Sequence, residues 1–101
     1  MVMLAAGGIW AEVMRDRSSR LAPVSLETAH DMVREVRLLQ TVAVLRGRPR
    51  GDLDALARAI VKLSQLALRP ALRILEAEVN PLMVLAEGHG VLAVDALVLQ
   101  G

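Results

Sequence analysis

Three oxygen-bearing side chains stand at alternate positions near the C-terminal end of the chain: Glu76, Glu78 and Asn80. Because successive side chains on a β-strand point to opposite faces, a strand here places all three on one face and the apolar residues between them on the other. Pro81 restricts Asn80 to an extended backbone, which keeps the amide in line with the two carboxylates. Carboxylate and amide oxygens are ligands of hard divalent cations, so this face is a candidate metal site.

A further oxygen donor, Asp95, lies on the apolar segment that follows the turn Glu87–Gly90. A four-residue loop at this turn pairs Leu82 with Asp95, and Asn80 then becomes a diagonal neighbour of Asp95 on the same face, about 7–8 Å away. A cation between the two could take one oxygen from each and the rest from water and phosphate, as magnesium often does. The prediction depends on the loop, because a slip of one residue would move Asp95 to the opposite face.

Composition narrows the classes of function. The chain has 101 residues, a formal net charge of +1 and a single aromatic residue, Trp10. The length predicts one domain over residues 1–101, and the balanced charge and lack of stacking residues argue against nucleic-acid binding. No apolar run approaches the roughly 18 residues of a membrane helix. The absence of cysteine excludes thiolate metal sites and suits a cytoplasmic protein.

The apolar content has two explanations that the sequence leaves open. Hydrophobic residues make up 54% of the chain, which is high for a small domain. In the first, some apolar residues form a surface that contacts another domain, a subunit or a second copy of the chain. In the second, the apolar residues all pack into an aliphatic core.

The spacing of apolar residues predicts two helices between two groups of strands. The first helix runs from Leu26 to Leu38 with Ser25 as its N-cap, and the second follows its own N-cap, Asp52. Thr41–Leu45 fits either a strand or the tail of the first helix. Strands are expected at residues 2–6 and 9–14, around the pair Gly7-Gly8, and within residues 73–79 and 82–99. This order predicts an α+β fold, a mainly antiparallel sheet with the two helices packed on one face.

A series of short motifs occurs in order along nearly the whole chain. By these motifs the chain resembles the C-terminal half of the ATP-grasp domain of the NDP-forming acyl-CoA synthetases, a family that includes ADP-forming acetyl-CoA synthetase and, more distantly, the β subunit of succinyl-CoA synthetase. The motifs are Gly7–Ile9, Glu12–Val13, Asp16, Arg20–Pro23, Arg46–Pro49, Asp52–Leu56, Leu63–Ala67, Glu76, Glu78–Leu82 and Val94–Ala96.

The resemblance implies an activity and a site. Enzymes of this family make or consume an acyl-CoA while interconverting NDP and NTP, through an acyl phosphate and a phosphohistidine. The resemblance implies that Asn80 and Asp95 bind the magnesium ion of ATP or ADP, and that Glu78 supports these two ligands near the nucleotide. The implied partners are the other half of the ATP-grasp domain, with its phosphate-binding lysine, and a CoA-binding domain or subunit. The chain alone is then expected to be inactive and to bind magnesium weakly.

The chain departs from the family pattern at two glycine positions. Its first turn reads Ala5-Ala6-Gly7-Gly8 where the family usually has Gly-x-Gly-Gly, and Val44 stands where the family tends to have glycine. Neither His30 nor His89 lies in a matching motif, so both are interpreted as surface residues. An alternative function therefore stays open, a non-catalytic regulatory or oligomerisation module that keeps the fold without nucleotide. The acyl substrate and the choice between adenine and guanine nucleotides cannot be inferred from the sequence.

Overall fold

The chain begins with a pair of short strands. The structure, a computed structural model, describes residues 1–7, 15–43 and 50–101. Strand β1 (Val2–Ala5) pairs antiparallel with β2 (Arg17–Arg20). No strand was predicted at residues 15–20, because the inward position of β2 is filled by Ser18, a buried polar residue that donates a hydrogen bond to Glu35 Oε1 at 2.9 Å. The predicted strand at residues 9–14 lies outside the described residues.

Three α-helices lie in the described part of the chain: α1 (Leu26–Glu35), α2 (Arg37–Ala43) and α3 (Leu53–Ala67). The predicted N-cap of α1 is confirmed, since Ser25 Oγ accepts a hydrogen bond from Thr28 N at 3.1 Å. The prediction that this helix continues to Leu38 was wrong.

A buried carboxylate explains the early end of α1. Val36 has an extended backbone, with φ −84° and ψ 107°. The carboxylate of Asp16 accepts hydrogen bonds from Arg37 N at 2.6 Å and Leu38 N at 2.9 Å. These two amides lack partners within a helix that begins at Arg37, so Asp16 stabilises the start of α2. Residues 41–43 belong to α2, which resolves the choice between strand and helix for this part of the chain.

The core lies between α1, α3 and the first strands. Apolar residues at helical spacing on α1 and α3 face each other, as their sequence pattern predicts. The buried apolar residues of this cluster are Val2, Val24, Ala29, Met32, Val33, Leu56, Ala57 and Ile60.

The C-terminal part of the chain forms two short antiparallel pairs. After a 3₁₀ turn (Pro70–Leu72), β3 (Ile74–Val79) pairs with β6 (Ala96–Gln100), and β4 (Leu82–Val84) pairs with β5 (Val91–Ala93). We call the segment from β3 to β6 the C-terminal ribbon. The predicted α+β class with antiparallel pairing is confirmed, although the described residues contain three helices instead of two and three two-stranded sheets instead of one.

Strands β4 and β5 of the ribbon pack against the core. Leu82, Val84 and Val91 pack against the buried cluster, while every residue of β6 is exposed. Beyond the core contact, Leu75 and Val94 keep 75% and 59% of their accessible surface. Within residues 1–7, 15–43 and 50–101, no helix has both the length and the apolar character needed to cross a membrane.

Candidate functional site

Asn80 and Asp95 are directly opposite each other in the C-terminal ribbon. The ladder of β3 and β6 ends with Val79 facing Ala96, and Asn80 N donates a hydrogen bond to the backbone oxygen of Asp95 at 3.0 Å. One residue on each strand separates the pair of Asn80 and Asp95 from the pair of Leu82 and Ala93. The β3–β6 and β4–β5 ladders therefore have the same register. Directly opposed residues of an antiparallel pair carry their side chains on one face, with Cβ atoms about 4.5–5.5 Å apart.

The predicted pairing of Leu82 with Asp95 was wrong by two residues. Leu85 N donates to Gly90 O at 3.0 Å and His89 N to Ala86 O at 2.8 Å, so the four-residue loop begins one position earlier than expected. A shift of two residues preserves the face of every side chain. By register the candidate ligands are direct neighbours instead of diagonal ones. That their side chains share a face stays a prediction.

Glu78 contacts the amide of Asn80 along the same strand. Asn80 Nδ2 lies 3.5 Å from Glu78 Oε1, at the long end of hydrogen-bond distances, and both residues are exposed. An amide nitrogen turned towards a carboxylate leaves Oδ1, the oxygen that can bind a cation, to face elsewhere. Glu76 is also exposed on this strand, as the alternating pattern predicts.

Asp95 has one oxygen held by its own chain. Its Oδ1 accepts a hydrogen bond from Ala96 N at 2.9 Å, and the residue is exposed. A carboxylate has about four lone-pair positions, so this bond leaves capacity for a cation.

The donor set fits a magnesium ion that takes most of its ligands from elsewhere. Asn80 and Asp95 are both exposed, and their amide and carboxylate oxygens are hard oxygen ligands. Within the described residues no group of three His, Asp or Glu side chains converges on a possible metal position. Two protein oxygens suit magnesium bound to phosphates and water, and they do not form a site that would hold the ion alone.

Asp52 connects the turn of the ribbon to the start of α3. Its Oδ1 accepts from Ala55 N at 3.1 Å, which confirms the predicted N-cap. Its Oδ2 accepts from Gly88 N at 3.1 Å and Gly90 N at 2.8 Å. Hydrogen bonds from these three amides, that of Gly90 first, hold the pKa of Asp52 below its usual value. The sequence signalled the cap but not the contact with the turn.

The histidines do not join the candidate site. His30 Nε2 lies 3.2 Å from Asp54 Oδ1 at the surface between α1 and α3, and His89 is exposed in the turn. Both agree with their interpretation as surface residues. Gly8, Trp10 and Val44 lie outside the described residues.

A motif residue that the resemblance highlighted is part of the core. Ser64 is fully buried, and its Oγ accepts from Val24 N at 3.1 Å and donates to Val61 O at 2.7 Å. These bonds join α3 to the segment before α1. The motif around Ser64 therefore has a structural explanation in this fold.

Comparison with known proteins assigns the chain to one group. A family model described as an ATP-grasp domain matches residues 1–99. The chain is 38% identical over 91 residues to acetate–CoA ligase (ADP-forming) I of Archaeoglobus fulgidus, covering 90% of this chain and 13% of that protein. It is 38% identical over 96 residues to the β subunit of acetate–CoA ligase (ADP-forming) I of Pyrococcus furiosus, covering 94% of this chain and 40% of the subunit.

Solved structures agree with the sequence matches. The dinucleotide forming acetyl-coenzyme A synthetase 1 of Candidatus Korarchaeum cryptofilum, in its apo form, superimposes with a TM-score of 0.83 and 29% identity, covering 98% of this chain and 46% of that chain. The same enzyme in complex with coenzyme A and Mg-AMPPCP gives a TM-score of 0.82. In each case the present chain spans less than half the length of the protein it matches.

Proposed function

Because the chain belongs to the ATP-grasp domain family, we propose that it is the C-terminal half of the nucleotide-binding domain of an NDP-forming acyl-CoA synthetase. The observation that carries the proposal is the backbone hydrogen bond that pairs exposed Asn80 with exposed Asp95. Relatives that the chain matches over 90% of its length or more include ADP-forming acetate–CoA ligases and an ADP-forming 4-hydroxybutyrate–CoA ligase.

Each residue of the site has a distinct task in this proposal. Asn80 Oδ1 and the carboxylate of Asp95 would hold a magnesium ion, while Glu78 keeps the amide nitrogen of Asn80 turned away from it. When bound, the ion would neutralise phosphate charge and orient the phosphoryl group that is transferred. The ladder hydrogen bond between the two residues holds the ligands in place before the nucleotide arrives.

The remainder of the active site would come from partner domains. The relatives are longer than this chain, and the exposed apolar face of β6 offers a surface for another domain to cover. The partners in this proposal are the other half of the ATP-grasp domain and a CoA-binding domain or subunit. The chain alone would then bind magnesium weakly and catalyse no turnover, because two oxygens without phosphates make a poor magnesium site.

The test is isothermal titration of magnesium and ADP into the complete protein that contains this chain, together with its turnover. We expect Asn80→Ala and Asp95→Ala each to weaken magnesium-dependent nucleotide binding by at least about tenfold, as losses within a metal site commonly do. Glu27→Gln is the matched control, because it removes one exposed carboxylate far from the ribbon in sequence, in the first turn of α1. Unchanged nucleotide binding and turnover in both site variants would falsify the assignment.

A second candidate function is favoured by the exposure of β6. A non-catalytic oligomerisation module that retains the fold would use this apolar strand to bind a second copy of the chain. Light scattering coupled to size-exclusion chromatography separates the two candidates. A dimer that binds no magnesium nucleotide supports the module, and a monomer argues against it.

A further inference from the structure

We propose that Asp52 is a positioning residue for the metal site, acting by holding the turn of the C-terminal ribbon in the register that sets Asn80 opposite Asp95. This inference rests on the proposed function. Asp52 contacts neither ligand, and its effect reaches them along the ladder of the ribbon.

One carboxylate connects the turn to a rigid helix. Oδ1 of Asp52 accepts from Ala55 N, while Oδ2 accepts from both Gly88 N and Gly90 N. The helix that it caps, α3, contributes Leu56 and Ile60 to the core. The side chain of Asp52 therefore connects the turn to a helix that packs in the core.

The backbone on both sides of Asp52 reinforces this connection. Asp52 N donates to Leu85 O at 2.8 Å, and Glu87 N donates to Arg50 O at 2.7 Å. Gly51 also forms an isolated antiparallel bridge with Ala86. The segment before α3 therefore pairs with the end of β4, and the side chain of Asp52 holds the returning half of the turn.

The glycines allow this arrangement. Gly88 and Gly90 have φ angles of +86° and +83°, a region that residues with a side chain rarely adopt. In this conformation both amides point at the same carboxylate oxygen. A shifted loop would present other amides to Asp52, so the contact selects one register among the possible ones.

The ribbon needs such a selection because its own pairing is weak. Isolated two-stranded ribbons are at best marginally stable in water, and β3 to β6 are joined as two such pairs. A slip of one residue would move Asp95 to the face opposite Asn80. An anchor at the turn therefore decides whether the two ligands share a face.

The variant that separates anchoring from capping is Asp52→Asn in the complete protein. Asparagine is as good an N-cap as aspartate, so its oxygen can still accept from Ala55 N, but its amide nitrogen cannot accept from Gly88 or Gly90. We expect the apparent dissociation constant for magnesium in the presence of ADP to rise about fivefold, as it would if one molecule in about five kept the competent register. Turnover at saturating magnesium should recover.

Hydrogen exchange gives an independent readout of the same variant. The amides of Gly88 and Gly90 should exchange faster in Asp52→Asn, while those of buried Ala57 and Ile60 on α3 should not change. Gly90→Ala disrupts the contact from the turn side, because alanine is strained at that φ. This variant should also raise the apparent dissociation constant for magnesium. Ser25→Ala removes the cap of α1 and should leave the magnesium constant unchanged.

The outcomes distinguish this inference from the function on which it rests. If Asn80→Ala leaves the magnesium constant unchanged in the same titration, the proposed metal site is wrong. If Asn80→Ala weakens magnesium binding while Asp52→Asn and Gly90→Ala do not, the metal site stands and the positioning role of Asp52 is wrong. The positioning role is supported if the apparent dissociation constant for magnesium rises in both Asp52→Asn and Gly90→Ala and stays unchanged in Ser25→Ala.

Discussion

The packed body of the molecule and its C-terminal ribbon are stabilised in different ways. In the body, formed by β1, β2, α1 and α3, the side chains of Met32, Val36 and Ser64 are fully buried. In the ribbon every residue of β6 is exposed, and the candidate ligands Asn80 and Asp95 are exposed as well. The candidate site therefore lies outside the buried core.

This difference separates stability from function. The proposed binding of a magnesium nucleotide requires a carboxylate that is reachable from solvent, and burying a carboxylate without a partner would be costly. The body, in contrast, buries polar groups only with partners, as Asp16 shows by bonding the amides of Arg37 and Leu38. Core substitutions should thus change the free energy of unfolding, and ribbon substitutions should change ligand binding.

The largest expected effect is in the core. Met32→Ala should lower the free energy of unfolding by about 2–5 kcal/mol, because a fully buried side chain is truncated and leaves a cavity. Leu99→Ala, at an exposed position of β6, should change it by less than about 0.5 kcal/mol in the chain alone. Urea unfolding of the two variants measures both values. Equal losses would show that the ribbon belongs to the core after all.

An intermediate effect is expected at Ser64. Replacing it with alanine leaves the amide of buried Val24 without its hydrogen-bond acceptor, which should cost about 1–3 kcal/mol of stability. Ser19→Ala, at an exposed position of β2, is the matched control and should have little effect. Urea unfolding measures the loss of unfolding free energy in both variants. A loss in Ser19→Ala as large as that in Ser64→Ala would contradict the role of the buried hydrogen bond.

The smallest expected effect is the pH dependence of the connection between body and ribbon. Amide hydrogen bonds lower the pKa of Asp52 in the folded chain, so its stabilising contribution is complete above the usual aspartate pKa of about 4 and is lost as the pH falls through the folded value. The difference in urea midpoint between the wild type and Asp52→Asn should therefore shrink from pH 7 towards pH 2. A difference that stays constant over that range would show that the charge of Asp52 plays no part.

Features that depend on nearby residues were predictable. Ser25 and Asp52 are N-caps because a side-chain oxygen reaches an amide three residues ahead, a contact that the local sequence encodes. The shared face of Glu78 and Asn80 follows from strand periodicity alone. By contrast, β2 was missed because Ser18, a polar residue, fills an inward position through its bond to Glu35, which lies 17 residues away.

The amino-acid sequence by itself determined the α+β class, the helix caps and the family, because these depend on residue type, spacing and motif order. The tertiary structure alone decided the rung on which Asn80 meets Asp95. The turn next to that pairing is held by hydrogen bonds from Gly88 and Gly90 to Asp52, which lies 36 and 38 residues away along the chain. Local sequence patterns do not predict a contact between residues so far apart in the chain. The contact forms only when the packing of α3 brings the N-terminus of that helix to the turn.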